Sequence, residues 1–134
     1  MTPQDNMQIV NEIYAAVGRG ELEAILQRVS DDVDWAADAD GAAAPWYGPR
    51  TGKTGVASFF EDLNRSIKIT QFTPHSAAAS DSDVHVLVDW TFRPMTNDRQ
   101  TSMTMHHHWQ LRDGKVTRFR GSEDTALTAQ ALSE

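Results

Sequence analysis

Met103, Met105, His107, Trp109 and Leu111 stand at alternate positions and put one imidazole among large, soft apolar side chains. Residues two apart share one face of a strand, so these five make a continuous wall. An imidazole titrates near neutrality and can take up, give or orient a proton. Methionine and tryptophan around it would shape an apolar chamber for a small molecule, though the same wall also suits an ordinary core with His107 packed inside it. Asp38 and Asp40, in the polar connection that follows the first strand, are the other candidates for a base. Loop carboxylates are ordinarily solvated, which is the competing reading for both.

His106-His107-His108 invites a metal reading, because imidazole binds transition metals. Alternation opposes it. Only His106 and His108 share a face, about 6.5–7 Å apart at the backbone, and a further ligand is still needed. His85 and Asp89 have the matching parity on the preceding strand, and Arg118 and Arg120 on the following one. A polar outer face or a seam between two copies accounts for this set better than a metal site. Gly52-Lys53-Thr54 lacks the upstream glycine of a phosphate loop, and no cofactor is called for.

The elements that must hold these residues follow from periodicity. Apolar positions spaced by three and four predict helices over residues 5–17, 21–29 and 54–65, with Asp5 and Thr54 as caps. A short strand is expected at Val33–Ala36. Residues 37–53, with three glycines and two prolines, are expected to form a long irregular connection. Trp46 and Tyr47 within it should fold back over the body, either to touch a ligand or to plug it. A strand starting at Ile67 is interrupted at Pro74, where a bulge or edge bend is expected. Val84, Val86, Val88, Trp90 and Phe92 give the next strand a wholly apolar face. The turn Arg112-Asp113-Gly114-Lys115 joins the last two strands, and Glu123-Asp124-Thr125 opens a C-terminal helix. The expected order is ααβαββββα.

With 134 residues the chain is read as one domain. A net charge of −7 with scattered basic residues argues against a nucleic-acid partner. Without cysteine there is no disulfide or thiolate chemistry. No basic segment followed by an apolar run opens the chain, and no stretch is long and apolar enough to span a bilayer, so neither export nor membrane insertion is expected and a cytoplasmic location is the default.

Four stretches carry a family resemblance: Gly20-Glu21-Leu22, Ser30 to Trp35, Tyr47-Gly48 through Gly52-Lys53-Thr54 to Phe59-Phe60, and Asp113-Gly114-Lys115 to Phe119. Together they resemble the nuclear-transport-factor-2-like superfamily, in its SnoaL-like and ketosteroid-isomerase-like branch. The resemblance covers essentially the whole chain, residues 1–134. It implies an α+β fold of cystatin-like architecture, a cone-shaped curved antiparallel sheet packed against N-terminal helices, with a hydrophobic small molecule in the cone and a homodimer formed through the sheet. It turns Trp35, Trp90, Trp109 and Phe119 toward the cavity, with Tyr14, Trp46, Tyr47, Met103 and Met105 as further ligand-binding candidates and His107 and Asp38 as catalytic candidates. The functions implied are isomerase, cyclase or hydratase chemistry by proton transfer, or noncatalytic ligand binding on the same fold. The catalytic residues of the steroid isomerases match Ala37, Ile13 and His107 here. Asp38 and Tyr14 lie one residue off, a turn of about 100° on a helix. The aspartate that limonene epoxide hydrolases carry on the last strand is replaced within Phe119-Arg120-Gly121.

Overall fold

The computed structural model describes residues 1–133. Its elements are α1 (Pro3–Arg19), α2 (Leu22–Leu26), β1 (Val29–Ala37), β2 (Gly48–Thr51), α3 (Gly52–Ser66), β3 (Ile67–Ala79), β4 (Asp83–Pro94), β5 (Thr101–Arg112), β6 (Lys115–Ser122) and α4 (Thr125–Leu132). The strands form one curved six-stranded sheet in the order β2-β1-β6-β5-β4-β3. The helices α1, α2 and α3 cover its concave face, giving the α+β cone. The sheet is not wholly antiparallel: β1 runs parallel to β6, with Trp35 beside Phe119 and Ala36 beside Arg120. Helix α3 and strands β2 to β5 separate these strands in the chain, so no tight turn constrains their relative direction.

The apolar stripe of α1 buries Ile9, Val10, Ile13, Tyr14 and Ala16, and that of α3 buries Val56, Phe59 and Leu63. They meet Val33, Val84, Val88 and Val116, none of which retains exposed surface. Each such valine contributes about 1.5–3 kcal/mol relative to an exposed one. Asn6, also buried, fastens α1 to the β3–β4 turn by donating to the carbonyls of Ser80 and Asp81 at 3.1 and 2.9 Å.

Several boundaries differ from those expected. The α1 cap is Thr2, whose hydroxyl accepts from Asp5 N–H while the Asp5 carboxylate accepts from Thr2 N–H. Asp5 is thus the third helical residue of a capping box rather than the cap itself. Helix α3 starts at Gly52 behind Thr51, ahead of Thr54. Helix α2 stops at Leu26, and Val29 already belongs to β1. Within the expected loop, Gly48–Thr51 pairs with β1 as an edge strand, where Pro49 removes no needed ladder bond. The bulges in β3 fall between Ile69 and Gln71 and between Pro74 and Ser76, on the opposite sheet edge. In the β5–β6 turn, Asp113 and Gly114 both take positive φ, 51° and 79°, as a two-residue primed turn requires.

Candidate functional site

The alternation of β5 holds through the histidines. Met105, His107, Trp109 and Leu111 are buried, while His106 is exposed and His108 half-buried on the other face. Met105, His107 and Trp109 border an apolar cavity of about 60 Å³ between the sheet and helices α1 and α3. All four tryptophans, Trp35, Trp46, Trp90 and Trp109, contribute to its wall.

Two polar groups interrupt that wall. The first is a buried triad. Trp109 Nε1–H donates to the Tyr14 hydroxyl oxygen at 3.1 Å, and Tyr14 Oη lies 2.7 Å from His107 Nδ1. An indole can only donate, so the tyrosine oxygen accepts from it and the single hydroxyl proton is directed at Nδ1. Neutral His107 then carries its own proton on Nε2, the ring nitrogen without a protein partner among the described residues. Burial holds the imidazole unprotonated, pushed down to about 3, with the nearby His106 adding to the effect. Burial likewise raises the Tyr14 hydroxyl above its usual range, against the opposing effect of the Trp109 hydrogen bond. Tyr14 remains a neutral donor.

The second group is Glu123, one residue past β6. Its Oε2 accepts from the Tyr47 hydroxyl at 2.8 Å and the Thr128 hydroxyl at 2.7 Å, and the Trp46 indole is a further donor to the carboxylate. Burial raises this carboxyl above the ordinary range, although the bonds from Thr128, Tyr47 and Trp46 hold it back in part. Gly121 stands opposite His107 in the β5–β6 register. Glu123, just past the end of β6, borders the same cavity as His107. Two unpaired donors complete the wall: the buried indole N–H groups of Trp35 and Trp90 have no partner among the described residues.

The expected site residues separate into three groups. Tyr14, Trp35, Trp46, Trp90, Met105, His107, Trp109 and Phe119 border the cavity. Ile13 and Tyr14 both do so, because the α1 stripe is broad enough that one residue of displacement keeps the hydroxyl inside. Tyr47 and Met103 stand behind the wall. Tyr47 acts on it through Glu123, while the Met103 sulfur lies 3.8 Å from the Thr128 hydroxyl. Asp38 is outside: its side chain is exposed, and its backbone N–H is tied to the Gly121 carbonyl at 2.7 Å. That bond continues the β1–β6 pairing and leaves the carboxylate in water. Asp40 is exposed too, accepting from Ala42 N–H at 3.0 Å. Glu123 escaped the sequence reading because Glu123-Asp124-Thr125 carries the signature of a helix start, in which only Asp124 proves to be the cap.

The SnoaL-like domain profile matches residues 10–119. The chain belongs to the SnoaL-like domain family. Among solved structures, this SnoaL-like chain is similar to a nuclear-transport-factor-2-like protein of unknown function from Burkholderia pseudomallei K96243. The TM-score is 0.90 at 23% identity, covering 97% of this chain and 98% of that one. A second such protein, from Burkholderia xenovorans LB400, gives a TM-score of 0.89 at 26% identity over 99% of both chains. A protein from Xanthomonas campestris pv. campestris, provisionally named a polyketide cyclase, gives 0.85 at 20% identity over 98% of both. No curated protein gives a significant match.

Among the described residues no group of three or more histidine, cysteine or acidic side chains is placed to hold a metal ion. No described helix is long and apolar enough to cross a membrane. On the outer face His85 Nδ1 lies 3.1 Å from His106 Nε2, and His108 Nε2 lies 2.7 Å from an Asp83 carboxylate oxygen. Arg120 forms a two-pronged bond to Asp34 at 2.8 and 2.9 Å, and Leu87 is exposed among these groups.

Proposed function

We propose that this chain binds the carbonyl-bearing end of a hydrophobic small molecule in the cone and moves a proton on it, as an isomerase, cyclase or hydratase would. The carrying observation is the pairing in one apolar cavity of a neutral, tyrosine-bound His107 with the buried carboxyl of Glu123. Because the Nδ1 lone pair of His107 is taken by Tyr14, the imidazole suits an oxyanion donor better than a base. The Glu123 carboxylate takes the proton from the carbon next to the ligand carbonyl. The electron pair moves onto oxygen, which accepts from His107 Nε2–H, and Glu123 returns the proton to the same or a conjugated carbon. The apolar wall strengthens both interactions by excluding water. The Trp35 and Trp90 N–H groups favour a ligand with further acceptor oxygens.

The test is solvent-deuterium exchange into a panel of linear methyl ketones, followed by proton NMR. Wild-type protein accelerates exchange, and Glu123→Gln lowers the acceleration about 10²–10⁴-fold. His107→Leu costs about 10²–10³-fold, whereas His107→Gln, which keeps an N–H donor, loses less. The rate rises with pH as Glu123 ionises, above the ordinary carboxylate range, and His107 adds no limb because burial holds it unprotonated. Binding without exchange would reject the catalytic reading and leave the noncatalytic one. A second copy of the chain over the outer sheet face, meeting at His85, Asp89, His106, His108 and Arg120, completes the proposal. A monomer mass by light scattering at micromolar concentration would reject it.

A further inference from the structure

A second cavity, of about 480 Å³, lies between the C-terminal ends of α1 and α3, helix α2 and the start of β3. Val17, Phe60, Leu63 and Ile69 border both cavities, so these four side chains form the partition between them. The inner space of about 60 Å³ is well below the roughly 150 Å³ of an apolar cavity that accepts benzene. Any ligand reaching His107 must keep most of its volume elsewhere, and the outer cavity adjoins. Phe60 is the half-buried aromatic of the partition, 5.9 Å from the Trp35 ring.

The outer cavity differs in charge as well as size. Arg19 and Lys68 border it, and no carboxylate does, in a protein of net charge −7. Arg19 is paired with Glu21. Lys68 has no ion-pair partner among the described residues, and it stands directly opposite Arg93, likewise unpaired, in the β3–β4 register. An unpaired lysine at the rim of an apolar groove, with a second cation on the neighbouring strand, raises the local potential for an anion. The Asn64 side chain adds a neutral hydrogen-bonding group.

We propose that the two cavities form one bipartite site for an elongated amphipathic carboxylate. Its apolar, carbonyl-bearing end passes Phe60 into the inner cavity while the carboxylate stays beside Lys68. This rests on the reading of the inner cavity as the ligand's reacting end, and it adds the ligand's length, polarity and direction of access.

The experiment compares 7-oxooctanoate with 7-oxooctanamide, whose slim methyl-ketone end matches the inner cavity, followed by tryptophan fluorescence. All four tryptophans border the inner cavity and none the outer, so a change in emission reports the apolar end arriving inside. The acid should bind about tenfold more tightly than the amide, and Lys68→Gln, a substitution at an exposed site, should erase that difference. Added salt should weaken the acid and leave the amide unchanged. Equal affinities in the wild type, or an acid preference untouched by Lys68→Gln, would overturn the proposal. So would lysine-dependent binding, detected by calorimetry, that leaves tryptophan emission unchanged. Ketone exchange measured on the wild type separates the two readings: exchange that proceeds in a wild-type protein binding acid and amide alike removes the bipartite site and spares the inner one.

Discussion

His106 and His107 are neighbours in the chain and opposites in chemistry. One faces water beside two other imidazoles; its proton affinity is lowered by partial burial and by the nearby His85 and His108. The other is enclosed by Tyr14, Trp109 and Phe119 and is held unprotonated by that enclosure. A single step along a strand separates a titrating surface from a fixed neutral donor. Alternation alone assigns the two roles, and the surroundings on each face set their strength.

That contrast can be broken most severely by hollowing the inner face. Trp109→Ala removes a buried indole and the donor to Tyr14, and should cost about 3–5 kcal/mol in urea denaturation, against no more than about 0.5 for His106→Ala. Equal losses would mean that the two faces are not energetically distinct. Tyr14→Phe is a finer cut. It keeps the ring but leaves the Trp109 N–H and the His107 Nδ1 without their partner, for an expected loss of about 1–3 kcal/mol by the same measurement.

Acid sharpens the comparison further. His107 binds its proton at about 3 in the folded chain and at about 6.5 when unfolded, so below about 6.5 the unfolded chain is the better proton acceptor. Its contribution is intact above that pH and is lost as the pH falls toward 3. The steepest slope is about 1.4 kcal/mol per pH unit, and His107→Gln should remove it. Glu123 opposes it: its raised carboxyl favours the folded state in acid and costs stability as the pH climbs past the ordinary carboxylate range. Denaturation of wild type, His107→Gln and Glu123→Gln between pH 4 and 7 separates the two slopes. The smallest effect belongs to the outside of α3, where Arg65→Ala should change stability by no more than about 0.5 kcal/mol because its pairing with Glu61 is exposed.

The inner face was legible because its signal is local. Alternation from Met103 to Leu111 and from Val84 to Phe92 reports the buried side without knowledge of partners. Edge strand β2 was hidden because Gly48 and Pro49 are loop formers by propensity, and pairing with Asp34 to Ala36 overrides them. The parallel β1–β6 contact joins residues more than eighty positions apart, and short-range periodicity has no access to it. Glu123 was hidden for a related reason. Its chemistry depends on Tyr47 and Thr128, brought together from separate elements, whereas Asp38 and Asp40 looked better placed only because they follow the first strand.

Gly121 limits how this site can change. A Cβ there would come within 3.2 Å of the Phe119 ring and 3.5 Å of His107 Cδ2. This is the position at which the epoxide-hydrolase resemblance would place an aspartate. Installing a carboxylate first would crowd the ring that packs on Trp35, whereas reducing Phe119 first would open space that the acid could then use. The order of substitution therefore matters, and the shortest mutational route from this pocket to a differently placed base passes through residue 119.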